Sequence, residues 1–168
     1  MINWAFYPKF ERASDLAQRV VGAFKAAETE IDSASHDLDS NSVLAKVSPF
    51  LKKEGFLVET GKTREGKVNV PVLFGLNGKP EKTFDADAYH VAEGFVVEVE
   101  AGRGVVNNQF LKDLFRACAM SDVWYLAIAV RNVYRSSNDF DRVRRFFDAL
   151  YASNRFKLPL KGILILGY

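Results

Sequence analysis

Residues 83–102 read TFDADAYHVAEGFVVEVEAG, and the order of acidic and apolar residues in this stretch decides the architecture. Two runs with period-two alternation flank a turn containing Glu93 and Gly94, the pattern of paired antiparallel strands. In the first run Phe84, Ala86 and Ala88 alternate with Asp85, Asp87 and Tyr89; in the second Phe95, Val97 and Val99 alternate with Glu98 and Glu100. Successive side chains on a strand point to opposite faces, so the acids of each run share a face. A turn of even length pairs odd positions with even ones, which makes Asp85 and Asp87 face the same way as Glu98 and Glu100. A four-residue turn over residues 91–94 sets Asp87 opposite Glu98 and Asp85 opposite Glu100. A two-residue turn at Glu93 and Gly94 sets Asp87 opposite Glu100 instead.

Either register brings carboxylates side by side. Directly opposed residues have Cβ atoms about 4.5–5.5 Å apart, and like charges there are destabilising. The stretch holds no lysine to offset them, so a compensating cation is expected, and oxygen ligands suit Mg²⁺ or Mn²⁺. The wet face of a surface hairpin would carry acids as well. The helical patterns that follow argue instead that this face is covered, where unpaired carboxylates are expensive.

The chain has 168 residues and one cysteine, Cys118, in an apolar helical pattern. That length fits one domain over residues 1–168, with a core large enough to stand without disulfides. The lone thiol reads as structural and fits a reducing compartment. Residues 1–10 lack a basic start followed by an apolar run, and no stretch approaches the roughly 18 apolar residues of a membrane span. A cytoplasmic protein without a membrane partner is expected. Net charge is +2, too small to announce nucleic acid by itself. Its distribution is uneven: Arg131, Arg135, Arg142, Arg144, Arg145, Arg155, Lys157 and Lys161 crowd the last quarter. A basic region beside an acidic metal site is what a phosphodiester substrate needs, although a solvated helix face gives the same pattern.

Along the chain, residues 1–10 are aromatic-rich and broken by Pro8, as in an extended arm packed on the body. From Ala13, Leu16, Val20, Ala23, Phe24, Ala27 and Ile31 recur at helical spacing, with Ser14 or the polar residues before it as the cap. Glu30 lies nearer the apolar edge of that helix than Glu28 does. SASHDLDSNS, residues 33–42 with His36, reads as a polar loop. A second helix over residues 43–53 stops at Gly55. Strands follow over residues 56–59 and 68–74, joined by the basic turn GKTREGK with Lys62, Arg64 and Lys67, and Asn77-Gly78 leads into the acidic hairpin. The result is one antiparallel meander. Gly102-Arg103-Gly104 is too short for a nucleotide loop. Residues 107–120 form a helix with Phe110, Leu111, Leu114, Phe115, Cys118 and Ala119 on one side. VWYLAIAV, residues 123–130, is a strand buried on both faces. Residues 139–151 make a third long helix with the stripe Phe140, Val143, Phe146, Phe147 and Leu150, and LKGILIL, residues 160–166, is the final buried strand. This order implies an α/β three-layer sandwich, a central mixed sheet flanked by helices.

The element order, with acids across two core strands, resembles the PD-(D/E)xK nuclease superfamily and its restriction-endonuclease-like fold. In the resemblance Asp87 matches the first acid, Glu98 the second, and Glu100 the position usually held by lysine; E-x-E is similar to the arrangement in BamHI-type restriction enzymes. It implies a metal-dependent endonuclease that hydrolyses DNA phosphodiester bonds, with restriction or defence as its setting. Asp87, Glu98 and Glu100 are then catalytic, and Asp87, Glu98 and a first-helix glutamate, Glu30 (Glu28 if the register differs), hold Mg²⁺ or Mn²⁺. Arg103 and Gln109 are implied as phosphate-contacting or supporting groups, and a homodimer is implied where a palindrome is cut. The same fold without cleavage, binding nucleic acid or a protein, is the alternative that Glu100 leaves open.

Overall fold

The computed structural model describes residues 1–61, 63–102 and 105–168. Its spine is a six-stranded sheet. The strands are β1 (Asn3–Tyr7), β2 (Leu57–Val58), β5 (Ala88–His90), β6 (Phe95–Val99), β7 (Tyr125–Val130) and β8 (Gly162–Gly167), in the order β1-β8-β7-β6-β5-β2. Strands β6, β7 and β8 run parallel, and β1, β5 and β2 pair antiparallel at the two sides. A separate hairpin, β3 (Val68–Phe74) with β4 (Pro80–Ala86), forms a two-stranded sheet.

Helices α1 (Asp15–Ala26), α2 (Glu28–Ile31) and α3 (Ser40–Lys53) share one apolar cluster with Phe95, Val97, Val99, Ala127, Ala129 and Leu164 of the sheet. Helices α4 (Gln109–Ala119) and α5 (Asp139–Ser153) cover the other face, packing with Val96, Leu126, Ile128, Val130, Ile163 and Ile165. The expected three layers are therefore formed. Both crossovers between parallel strands, β6-α4-β7 and β7-α5-β8, step in the same direction across the sheet. Right-handed connections stepping one way must put their helices on the same face.

Local chemistry fixes the element ends. Ser14 accepts the N–H of Ala17 and Asp39 that of Ser42, capping α1 and α3; Asn138 accepts the N–H of Asp141 at the start of α5. Gly55 takes a positive φ just past α3. Leu126, Ala127, Ile128 and Ala129 are fully buried, as a parallel strand covered on both faces requires, and each large side chain among them contributes about 1.5–3 kcal/mol. No helix among the described residues is long and apolar enough to cross a membrane.

Four expectations are corrected. Residues 1–10 do not form an arm: Asn3 to Tyr7 pair with β8 as an integral sheet strand. The helix expected to run on to Ile31 breaks at Ala27, between α1 and α2. The single meander is two structures, because β2 pairs with β5 while β3 and β4 pair only with each other. Asp85 thus lies across from Asn69 and not from Glu100. On α4 the buried positions are Phe110, Asp113, Leu114 and Ala117, whereas Phe115 is exposed; the stripe is rotated from the expected one and includes an acid.

Candidate active site

The chain bends at Asp87, the single residue between β4 and β5. Its carbonyl accepts the N–H of Glu59 at 2.8 Å, which extends the β2-β5 pairing by one residue. Its carboxylate Oδ2 accepts the N–H of Val99 at 2.7 Å. Side-chain oxygen thereby replaces the backbone partner that β6 would lose where β4 departs for the second sheet. On the other side of the hairpin His90 pairs with Phe95 and Ala88 with Val97, so residues 91–94 are the turn. Of the two registers open from sequence, the structure takes the one that sets Asp87 opposite Glu98.

Glu98 points into the layer of α4. It is 6% exposed, its Oε1 has no hydrogen-bond partner, and burial pushes its carboxyl well above the usual range, with Asp87 and Asp113 adding to the shift. Two residues on, the Glu100 carboxyl bonds to that of Asp113, a residue of α4 that is 3% exposed and has its Oδ2 unpartnered. Burial first, then the charge and bond of Asp113, raise Glu100 to about 8. Asp87 is raised to about 6, again by burial, against the lowering effect of the Val99 N–H. Carboxyl groups so placed hold their protons to higher pH than ordinary ones, since ionising all of them would put several like charges in one buried cluster.

Cations from elsewhere in the chain border this cluster, contrary to what residues 83–102 imply on their own. Lys67 bonds both carboxylate oxygens of Glu59 at 3.0 Å, stands 3.7 Å from Asp85 and lowers Asp87. Arg116 donates to the Asp85 carbonyl, lies over the Phe84 ring, and acts on Glu98 and Asp113. Lys112 lowers Glu100 and Asp113. Gln109, Lys112, Asp113 and Arg116 are spaced by three and four residues, hence lie along one side of α4. Gln109, half-buried at the first position of the helix, shares that side with Asp113.

Glu30 is not brought to the acids. It is exposed on α2 and its carboxylate pairs with Lys46 at 2.7 Å, which lowers its pKa. The break at Ala27 turns it away; Glu28 pairs instead with the N-terminal amine at 3.0 Å. Arg103 lies outside the described residues, as does Lys62. Part of the late basic group is paired: Arg131 bonds Asp37, Arg144 bonds Asp141 and Asp148, and Arg145 bonds Asp141. Asp113 is the site residue that the sequence reading missed. Its signal was present, because Phe110, Asp113, Leu114 and Ala117 follow helical spacing and an acid interrupts the stripe.

Among the described residues no three His, Cys, Asp or Glu side chains form a ready-made metal-ligand group. The unpartnered oxygens of Glu98 and Asp113 nevertheless suit a hard cation, which takes one or two carboxylates and otherwise keeps water and substrate oxygens. Compared with known proteins, the chain matches no protein-family model, no curated sequence and no solved structure.

Proposed function

We propose that this protein is a metal-dependent nuclease of the restriction-endonuclease-like class, hydrolysing DNA phosphodiester bonds at the Asp87, Glu98, Glu100 and Asp113 cluster. The observation that carries the reading is the pair of buried carboxylate oxygens without partners, Glu98 Oε1 and Asp113 Oδ2, beside Asp87 at the open end of an antiparallel pair. Leaving such atoms unpaired costs about 1–3 kcal/mol each, and a catalytic role or a bound ion is among the reasons such atoms are kept. The order β2, β5, β6, α4, β7, with β6 and β7 parallel, also agrees with the resemblance drawn from sequence.

Asp87 and Glu98 would hold Mg²⁺ or Mn²⁺, with Asp113 in place of the glutamate expected from the first helix. Bound there, the ion would supply positive charge to polarise a phosphoryl oxygen and acidify a water. Glu100 takes the proton from the attacking water; a base whose pKa stands near the working pH is suited to that transfer. Asp113 positions the Glu100 carboxyl through their bond, and Arg116 and Lys112 offset charge on the α4 side.

A second reading has its own observation. Glu100 occupies the position where the resemblance expects lysine, and its carboxyl is engaged by Asp113; a nucleic-acid-binding or interaction module that does not cleave would tolerate both. The deciding experiment incubates supercoiled plasmid with Mg²⁺ or Mn²⁺ and the wild-type, Asp87→Ala or Glu98→Gln protein, each checked for folding by circular dichroism. Nicking by the wild type alone is the expected result. DNA binding without cleavage under either ion favours the second reading, and equal nicking by all three rejects the site.

A further inference from the structure

Beyond the carboxyl ends of β6 and β7 lies an open groove of about 620 Å³. Its walls are residues 101 and 102 after β6, residues 131 and 133–135 after β7, and the loop over residues 33–37 with Asp39. The carboxyl ends of parallel strands are where open α/β sheets place ligands, because loops diverge there and leave a crevice. This groove begins one residue past Glu100, whose carbonyl accepts the Tyr168 hydroxyl at 2.9 Å. Ala101, in its wall, thus directly follows the acid-bearing segment of Glu98 and Glu100.

Its walls are braced from within. Ser33 donates its hydroxyl proton to the Tyr168 carbonyl and accepts the N–H of Val133 at 3.0 Å, tying the loop to the ends of β7 and β8. Arg131 is buried; it donates to Asp37 at 2.6 Å and to the Leu38 carbonyl. The Tyr134 ring has the Arg131 guanidinium at 5.3 Å and that of Arg135 also at 5.3 Å. Close contact with Gly102 holds the ring, since a Cβ on that glycine would come within 2.7 Å of Tyr134 Cε2.

Arg135 is the outer member of the stack. It is exposed, and among the described residues no carboxylate pairs with it. Its backbone has a φ of 54°, in the left-handed region, within a turn closed by two hydrogen bonds between Tyr134 and Ser137. A non-glycine residue held there costs about 1 kcal/mol or more and persists only when its surroundings enforce it. Asp37 is occupied by Arg131, so it does not cancel Arg135. A guanidinium stacked on an aromatic ring keeps its donor edge free, and that edge matches the oxygens of a phosphate.

We infer that this groove holds the phosphodiester backbone of the polynucleotide whose scissile bond lies at the acid cluster, with Arg135 donating to a phosphate and Tyr134 orienting Arg135. The inference rests on the nuclease reading for the identity of its ligand. The test is fluorescence anisotropy of a labelled oligodeoxynucleotide, single-stranded and as a duplex, in metal-free buffer over a range of salt, with cleavage assayed in parallel under Mg²⁺. The proteins are wild type, Arg135→Ala, Tyr134→Ala, and Lys25→Ala as an exposed charge on α1 that is not among the groove's walls. Arg135→Ala is expected to bind about tenfold more weakly and to flatten the slope of log K against log salt by about 0.7 for a single strand or 0.9 for a duplex. Tyr134→Ala follows it in direction, while Lys25→Ala binds like the wild type. Wild-type cleavage with affinity and salt slope unchanged in Arg135→Ala and Tyr134→Ala overturns the groove and leaves the nuclease standing. Binding that depends on Arg135 without cleavage under any ion keeps the groove and rejects the nuclease. A wild type that binds neither form of the oligonucleotide overturns the groove outright.

Discussion

The Glu100 carboxyl on the sheet bonds to the Asp113 carboxyl on α4, and both groups titrate above their usual range. Two carboxyl groups can bond only when they share a proton, so these two titrate as a pair.

Replacing Asp113 by asparagine keeps the shape but removes the charge and the shared proton. The Glu100 pKa is expected to fall from about 8 toward a value set by burial, with Asp87 still raising and Lys112 lowering it. Carbon-13 carboxyl titration by NMR reads this directly, and a Glu100 titration that does not move in Asp113→Asn would show that the pair does not control it.

Stability of the metal-free protein should fall as pH rises. Asp87, near 6, and Glu100, near 8, are both raised above their ordinary values, so the folded state binds more protons than the unfolded one. Their favourable contribution is fully present below about pH 4, the ordinary carboxylate pKa, and is lost as pH climbs through about 6 and then 8. Urea unfolding between pH 5 and 9 should show midpoints that decline across this window. The decline should shrink in Glu100→Gln; a flat profile would contradict the burial of these acids.

Mg²⁺ or Mn²⁺ should raise the melting temperature of the wild type. At a concentration one hundred times Kd the stabilisation is about 2.7 kcal/mol. The shift should vanish in Asp87→Asn with Glu98→Gln and shrink in Asp113→Asn, while Glu30→Gln leaves it intact because Glu30 is spent on Lys46. Thermal melts across an ion titration check this, and a shift lost in Glu30→Gln would restore the first-helix glutamate to the metal shell.

Gly94→Ala should destabilise the fold by more than the approximately 1 kcal/mol of a left-handed alanine. Gly94 has a φ of 58°, and a Cβ there would meet the Asp122 carbonyl oxygen at 2.1 Å. Its own carbonyl accepts from Trp124 and Tyr125, so the turn of the acidic hairpin is pinned to the start of β7. Phe95→Ala, which empties a fully buried position between Tyr125 and Phe56, should cost about 3–5 kcal/mol. Chemical denaturation of both variants gives these values, and a loss below about 1 kcal/mol for either would contradict the packing described.

The sequence by itself determined the local elements and the face on which the acids lie. Period two in residues 95–100 puts Glu98 and Glu100 with Val96, opposite Phe95, Val97 and Val99, and the two cores divide the sheet along that alternation. Helical spacing marked α1, α4 and α5, and Ser14 and Gly55 marked boundaries, because such signals depend only on neighbours in the chain. Tertiary structure decided what meets that acid face. Nothing local to residues 83–102 could show that the chain leaves the sheet at Asp87, since the departure is fixed by β4 pairing with β3. Nor could it show that Asp113 and Arg116 arrive from α4 and Lys67 from the turn before β3, or that Glu30 turns toward Lys46. Strand register and helix rotation are set by burial summed over distant partners, so the acids were legible in the sequence while their company was not.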